Sequence, residues 1–158
     1  MDLHEDMVDL KLIRTDSHNP GFAKLIKDLD ANLHSRNGDQ QAFFNQFNKV
    51  DQIKHVVVAY LNNAAAGCGA IKHYDAEATE VKRMFVAAES RGKGIAGKVL
   101  TELENWAKEL GYTHTILETS TAQNETISLY NKKGYTVTEN YGQYAGIENS
   151  ICFKKELS

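Results

Sequence analysis

The segment Arg91-Gly92-Lys93-Gly94-Ile95-Ala96-Gly97-Lys98 is the part of the chain most clearly able to hold a ligand. Glycine lets the backbone curl close to a bound group, and the free N–H groups at the start of a helix point at negative charge. A loop of this kind, with cationic side chains among its glycines, cradles an anion, and a phosphate-bearing ligand is the natural occupant. The plain alternative is a tight turn with ordinary surface Arg and Lys.

Three patterns overlap in the segment. Gly92, Gly94 and Gly97 spell GxGxxG, with Glu118 downstream at about the distance of a ribose contact, so a dinucleotide-binding fingerprint is formally present. That fingerprint follows its strand almost at once and needs several further parallel strands, whereas here a loop intervenes after Val86 and a hairpin precedes it. Gly92, Gly97 and Lys98 approach a P-loop, but Val99 stands where a hydroxyl would hold magnesium. The third pattern, [QR]xxGx[GA], is met from Arg91 to Ala96.

Other reactive residue types are sparse. The six histidines show no metal-ligand spacing and no CxxC accompanies them, so no metal is expected. His55, His73 and His114 fall on expected strands, with His73 a reserve base. Cys68 and Cys152 lie far apart and read as reduced, buried thiols.

The composition agrees with a small-molecule partner. Apolar content of 42% and charged content of 25% are those of an ordinary globular chain. A net charge of -3 lacks the basic footprint of a nucleic-acid binder. No apolar run approaches the roughly 20 residues that span a bilayer, and MDLHEDMVDL has no basic or apolar leader, so a cytoplasmic protein without membrane contact is expected. The 158 residues fit a single domain, 1–158.

The elements that must position the loop follow from periodicity. Residues 8–14 alternate as a strand. From Pro20 to about Phe47 the pattern is helical, with Phe22, Leu25, Ile26, Leu29 and Leu33 on one stripe, a break near Asn37-Gly38, and Phe43, Phe44 and Phe47 on a second helix packed into the core. Residues 55–61 and 66–74 flank Asn62-Asn63 as a hairpin, and 80–86 continues the meander. After the glycine loop, Ile95, Val99, Leu100, Leu103, Trp106, Ala107 and Leu110 form the apolar stripe of a long helix that Gly111 stops. Residues 114–119 make a strand parallel to its predecessor, 125–133 a short helix ended by Gly134, and YTVTEN and SICFKK the closing strands.

With these elements in order, the chain resembles the GNAT superfamily of N-acetyltransferases. The resemblance rests on the loop pattern from Arg91 to Ala96, on EVKRMFV before it, on GIAGKVLTELENWAKELGY after it, on ILETS, and on SLYNKKGY, which is similar to the family's LYxxxGF segment. Two positions depart from it: Ala88 stands where the family often has Pro, and Gln123 where it often has Asn.

The resemblance implies an α/β (α+β) fold. Its mixed sheet has about seven strands with an antiparallel meander, is splayed between the fourth and fifth strands, and is flanked by about four helices. It implies acetyl-coenzyme A as co-substrate, its pantetheine on backbone groups of Met84, Phe85 and Val86, its pyrophosphate on Arg91, Gly92, Lys93, Gly94, Ile95 and Ala96, and a further contact from Gln123. It implies Tyr130 as general acid toward the leaving thiolate, beside the coenzyme, and Glu80 as base. A phenol of pKa about 10 facing a thiol of about 8.5 needs close placement to give up its proton. Tyr141 and Tyr144 either rim the acceptor pocket or pack as a loop between the last strands. The expected activity is direct attack by a small amine or amino acid, with a homodimer possible. A non-catalytic acyl-coenzyme A sensor and a nicotinamide-dependent oxidoreductase are the rival classes.

Overall fold

The computed structural model describes residues 9–37 and 52–158. Its elements are β1 (Leu10–Thr15), α1 (Pro20–Asn37), β2 (His55–Leu61), β3 (Ala64–His73), β4 (Ala78–Val86), α2 (Ile95–Glu109), β5 (His114–Ser120), α3 (Asn124–Lys132), β6 (Thr136–Thr138) and β7 (Ser150–Glu156). The expected second helix, with Phe43, Phe44 and Phe47, lies outside the described residues. The described chain therefore carries three α-helices rather than four, and two short 3-10 turns, Ala88–Ser90 and Gly142–Tyr144. The sheet has seven strands in the order β1-β2-β3-β4-β5-β7-β6. The last strand is thus inserted between β5 and β6, antiparallel to both.

Local chemistry accounts for the boundaries. Asn19 accepts a hydrogen bond from the Phe22 N–H at 3.0 Å and Pro20 opens α1, a capped helix start. Asn62 and Asn63 both adopt positive φ, 53° and 69°, the conformation of the two-residue turn that matches strand twist. Gly111 and Gly134 end their helices at φ 96° and 91°.

The contacts divide the chain into two compact units, with β3, β4 and α2 each contributing to both. The first comprises the chain up to Ala70 and Arg83–Leu103. Its core gathers Phe22, Leu25, Ile26, Ile53, Val56, Val58, Cys68 and Ala87, all buried. Each such large apolar side chain contributes about 1.5–3 kcal/mol by leaving water. A β-carbon on Gly69 would collide with the Met84 sulfur and lie 2.8 Å from Leu103, so only glycine lets α2 and β4 come this close to β3.

The second unit comprises Ile71–Lys82 and Glu104–Ser158. Val81, Ala107, Ile116, Leu117, Tyr130, Tyr135 and Phe153 are buried in it. Tyr135 donates to Glu104 at 2.9 Å and shares a 2.7 Å hydrogen bond with Thr115, so a buried phenol in this core has partners. Leu110, assigned to the apolar stripe, is instead 45% exposed, because α2 stops one residue before it.

The parallel ladder between β4 and β5 runs from Ala78↔His114 to Val81↔Leu117. Beyond it β4 continues to Val86 and β5 to Ser120. Two residues past the last pair, Arg83 takes φ 60°. A β-carbon in that left-handed region costs roughly 1–2 kcal/mol, and one such residue inside a strand interrupts its alternation.

Candidate active site

Between β4 and α2 the chain makes the 3-10 turn Ala88–Ser90 and then an exposed loop. Gly92 and Gly94 hold φ 81° and 77°, and a β-carbon on either would meet nothing within 4 Å, so backbone conformation rather than crowding requires glycine. Arg91 is drawn back over the strand end: its Nε donates to the Val86 carbonyl at 3.1 Å and its guanidinium stands 5.7 Å from the Phe85 ring centre. The first turn of α2 contains no acidic residue, leaving its free N–H groups and the Arg91 and Lys93 charges uncompensated from within that turn. Ile95 is buried and anchors the helix start, while Ala96 is half-buried. This is a loop suited to a diphosphate. Met84, Phe85 and Val86, all partly buried, lie directly before it.

In the second unit the polar groups form a buried cluster. Glu80 and Lys82, two apart on β4, share a face of the strand, and Lys82 Nζ lies 3.6 Å from Glu80 Oε1. The Tyr141 phenol donates to Glu80 Oε2 at 2.7 Å. Lys82 Nζ reaches the Tyr144 oxygen at 3.5 Å. The Tyr141 ring stands edge-on to Tyr144 at 5.6 Å and to Tyr74 at 5.2 Å. Tyr144 is only 1% exposed, and Tyr141 is half-buried. Burial, and then the Glu80 charge, push both phenols far above the usual tyrosine range.

Glu118, on β5, accepts a hydrogen bond from Ser150 at 2.6 Å. Burial pushes its carboxyl up to about 7, against the Ser150 hydrogen bond and the Lys82 charge, with Glu80 adding to the rise. Its register partner on β7 is Cys152, whose thiol burial raises to about 11. Cys68, buried in the first unit, is raised to about 12 by the same cause.

Tyr130, on α3, is 4% exposed and packs against the rings of Tyr135 and Phe153. Burial, with the Glu118 charge second, holds its phenol protonated well above the ordinary range. Gln123 precedes α3, and its amide oxygen accepts from Thr126 at 3.2 Å, leaving the amide nitrogen as the end able to donate elsewhere. His73, the reserve base, shares a 2.8 Å hydrogen bond with Tyr112 on an exposed surface. Among the described residues no group of His, Cys, Asp and Glu is arranged to hold a metal, and no helix is long and apolar enough to cross a membrane.

The structure thus brings Glu80, Tyr141 and Tyr144 together, and keeps Met84–Val86 and Arg91–Ala96 as one continuous stretch. Lys82, Glu118 and Ser150 belong to the cluster but did not stand out as active-site residues in the sequence. Of these three only Glu118 carries a signal in the sequence, as the acid downstream of Gly92, Gly94 and Gly97.

The profile of the acetyltransferase (GNAT) family matches residues 21–135. The chain belongs to the GNAT acetyltransferase family. Acyl-coenzyme A-dependent acetyl transfer is the general activity of that family. The chain is similar to an IAA acetyltransferase of Azospirillum brasilense, 36% identical over 103 residues that cover 64% of this chain and 67% of that one. It is also 35% identical to the N-acetyltransferase YsnE of Bacillus subtilis over 63% of this chain and 67% of the other. A GNAT acetyltransferase from Elizabethkingia anophelis, solved with acetyl-CoA bound, shares the fold at TM-score 0.67 and 20% identity, covering 94% of this chain and 99% of that one. As a GNAT chain, this one has the expected mixed sheet with its fourth and fifth strands parallel and only partly paired.

Proposed function

We propose that this GNAT chain moves an acetyl group from acetyl-coenzyme A to the primary amine of a small molecule or amino acid, by direct attack in a ternary complex. The loop from Arg91 to Ala96 receives the diphosphate through its N–H groups and two cations. Backbone groups of Met84, Phe85 and Val86 pair with the pantetheine arm as a further strand would, and the Gln123 amide nitrogen adds a contact.

The amine nitrogen attacks the thioester carbonyl and the carbon–sulfur bond breaks. One proton must leave the nitrogen and one must reach the thiolate. Glu118 fits the first task better than Glu80. Both oxygens of Glu80 are engaged, by Tyr141 and Lys82, so it serves to hold the cluster. Glu118 has a single short partner and changes charge near neutral pH, where a base must both accept and release its proton. Tyr130 gives its phenolic proton to the thiolate and recovers it from solvent; its raised pKa keeps it loaded but makes the transfer depend on close placement. Tyr141 and Tyr144 shape the acceptor side.

The observation that carries this reading is Glu118: a partly buried carboxyl, held by Ser150 and poised near neutrality, on the strand whose ladder to β4 ends one residue before it. The test is thiol release from acetyl-coenzyme A across amines, amino acids, polyamines and peptides. Turnover with at least one primary amine, lost in Glu118→Gln, is expected. Tight acetyl-coenzyme A binding with no release by any acceptor would point to a sensor instead.

A further inference from the structure

Two carboxylates of the second unit, Glu80 and Glu118, lie in the field of one buried ammonium, that of Lys82. The Glu80 and Lys82 side chains are only 9% and 5% exposed. Glu80↔Ile116 and Val81↔Leu117 close the ladder between β4 and β5, and Lys82 and Glu118 follow next on their strands. Paired residues of neighbouring strands share a face, and every second residue returns to it, so Glu80, Lys82 and Glu118 face the same side of the sheet.

The other groups facing Glu118 are neutral. On β7 they are its register partner Cys152 and Ser150, which donates to it at 2.6 Å. Tyr144, whose oxygen lies 3.5 Å from Lys82 Nζ, and Tyr130 on α3 bring protonated phenols. Lys154, next along that face of β7, is drawn to Glu156 at 3.2 Å and is 41% exposed. After burial and the Ser150 hydrogen bond, the Lys82 charge favours the Glu118 anion and the Glu80 charge opposes it. An enclosed carboxylate is costly unless a cation answers it, and one ammonium answers one carboxylate. Glu80 already has Tyr141 on one oxygen and Lys82 by the other, so Glu118 is the acid at which a proton comes and goes.

We propose that Lys82 is a positioning residue for acetyl transfer: shared by Glu80 and Glu118, its ammonium limits the cluster to one exchangeable proton and places that proton on Glu118. The hold of Lys82 on Glu118 is a property of the free protein. Its use in catalysis rests on the reading of Glu118 as the base, and the two are tested separately.

The carboxyl carbon of Glu118, identified by its loss in Glu118→Gln, is titrated by NMR in the free protein, and kcat/KM is followed over the same pH range. Wild type is expected to show a transition near 7. Lys82→Met should raise it by about one pH unit or more, the effect of removing a nearby opposite charge, while Lys82→Arg keeps it near the wild-type position. Glu80→Gln should lower it by about as much; its amide oxygen still accepts from Tyr141, which keeps the test decisive if Lys82→Met folds poorly. A Glu118 transition that stays put in both Lys82→Met and Glu80→Gln would overturn the proposal. So would one that moves as far in Lys82→Arg as in Lys82→Met, because packing rather than charge would then set the proton. The expected NMR pattern with the kcat/KM limb moving in step upholds the proposal in full. The same NMR pattern with a kcat/KM profile that never follows it would uphold the hold of Lys82 on Glu118 and remove Glu118 as the base.

Discussion

The Tyr141 phenol and the Glu80 carboxylate, 61 positions apart in the chain, share a 2.7 Å hydrogen bond inside the second unit. Tyr141→Phe keeps the ring contacts with Tyr74 and Tyr144 but leaves a buried carboxylate oxygen without its donor, at a cost of about 1–3 kcal/mol. Tyr144→Phe gives up the 3.5 Å contact with Lys82 and a hydrogen bond with the Gln143 side chain, neither of them to a carboxylate, and is expected to cost less, about 1 kcal/mol. Urea unfolding midpoints check the order; equal losses would show that the Glu80 contact carries no special weight.

Glu118 sets a dependence on pH. Its carboxyl rises from 4.5 to about 7 on folding, so the native state favours the protonated acid. The stability it contributes is therefore complete below pH 4.5 and is withdrawn as pH climbs through about 7, by at most about 3 kcal/mol. Glu118→Gln should flatten stability over that window. In wild type kcat/KM should climb with pH and reach half its plateau near 7, and the Gln variant should lack that limb. A wild-type profile without a transition near 7 would exclude Glu118 as the base.

Tyr130→Phe preserves the packing on Tyr135 and Phe153 and removes one proton donor. The expected outcome is a fall in kcat of about 100-fold, the usual contribution of a placed acid, with acetyl-coenzyme A affinity by calorimetry nearly unchanged. Unaltered kcat would assign the proton to another donor.

Gly92→Ala and Gly94→Ala meet no steric obstacle but force a β-carbon into positive φ, so each is expected to cost about 1 kcal/mol and to weaken acetyl-coenzyme A binding by distorting the loop. Gly97→Ala, in open space on α2 and outside positive φ, is the control and should bind as wild type. If all three bind alike, the loop is not the diphosphate cradle.

How far the sequence foretold this molecule depends on the range of the signal. Features written within a few residues were legible: the Asn62-Asn63 turn, the stops at Gly111 and Gly134, the stripe from Ile95 to Ala107, and the glycine loop. Features made by distant partners were not. Tyr141 and Tyr144 gave no sign that Glu80 and Lys82 would draw them inward. Glu118 stood out only as an acid a fixed distance beyond a glycine motif, since its raised pKa comes from burial and from Ser150, on another strand. Arg83 reads as an ordinary strand residue, because nothing in EVKRMFV marks a left-handed backbone. The insertion of β7 between β5 and β6 is likewise a matter of pairing rather than of periodicity.

The two cysteines carry a practical corollary. Both are fully enclosed, and their thiols deprotonate only near pH 11 and 12, so at working pH neither offers the sulfur anion that a disulfide dye needs. Colour developed by such a dye during a reaction reports liberated coenzyme A and not the catalyst, even when the two are present in equal amounts, and a first turnover becomes visible without blanking the protein.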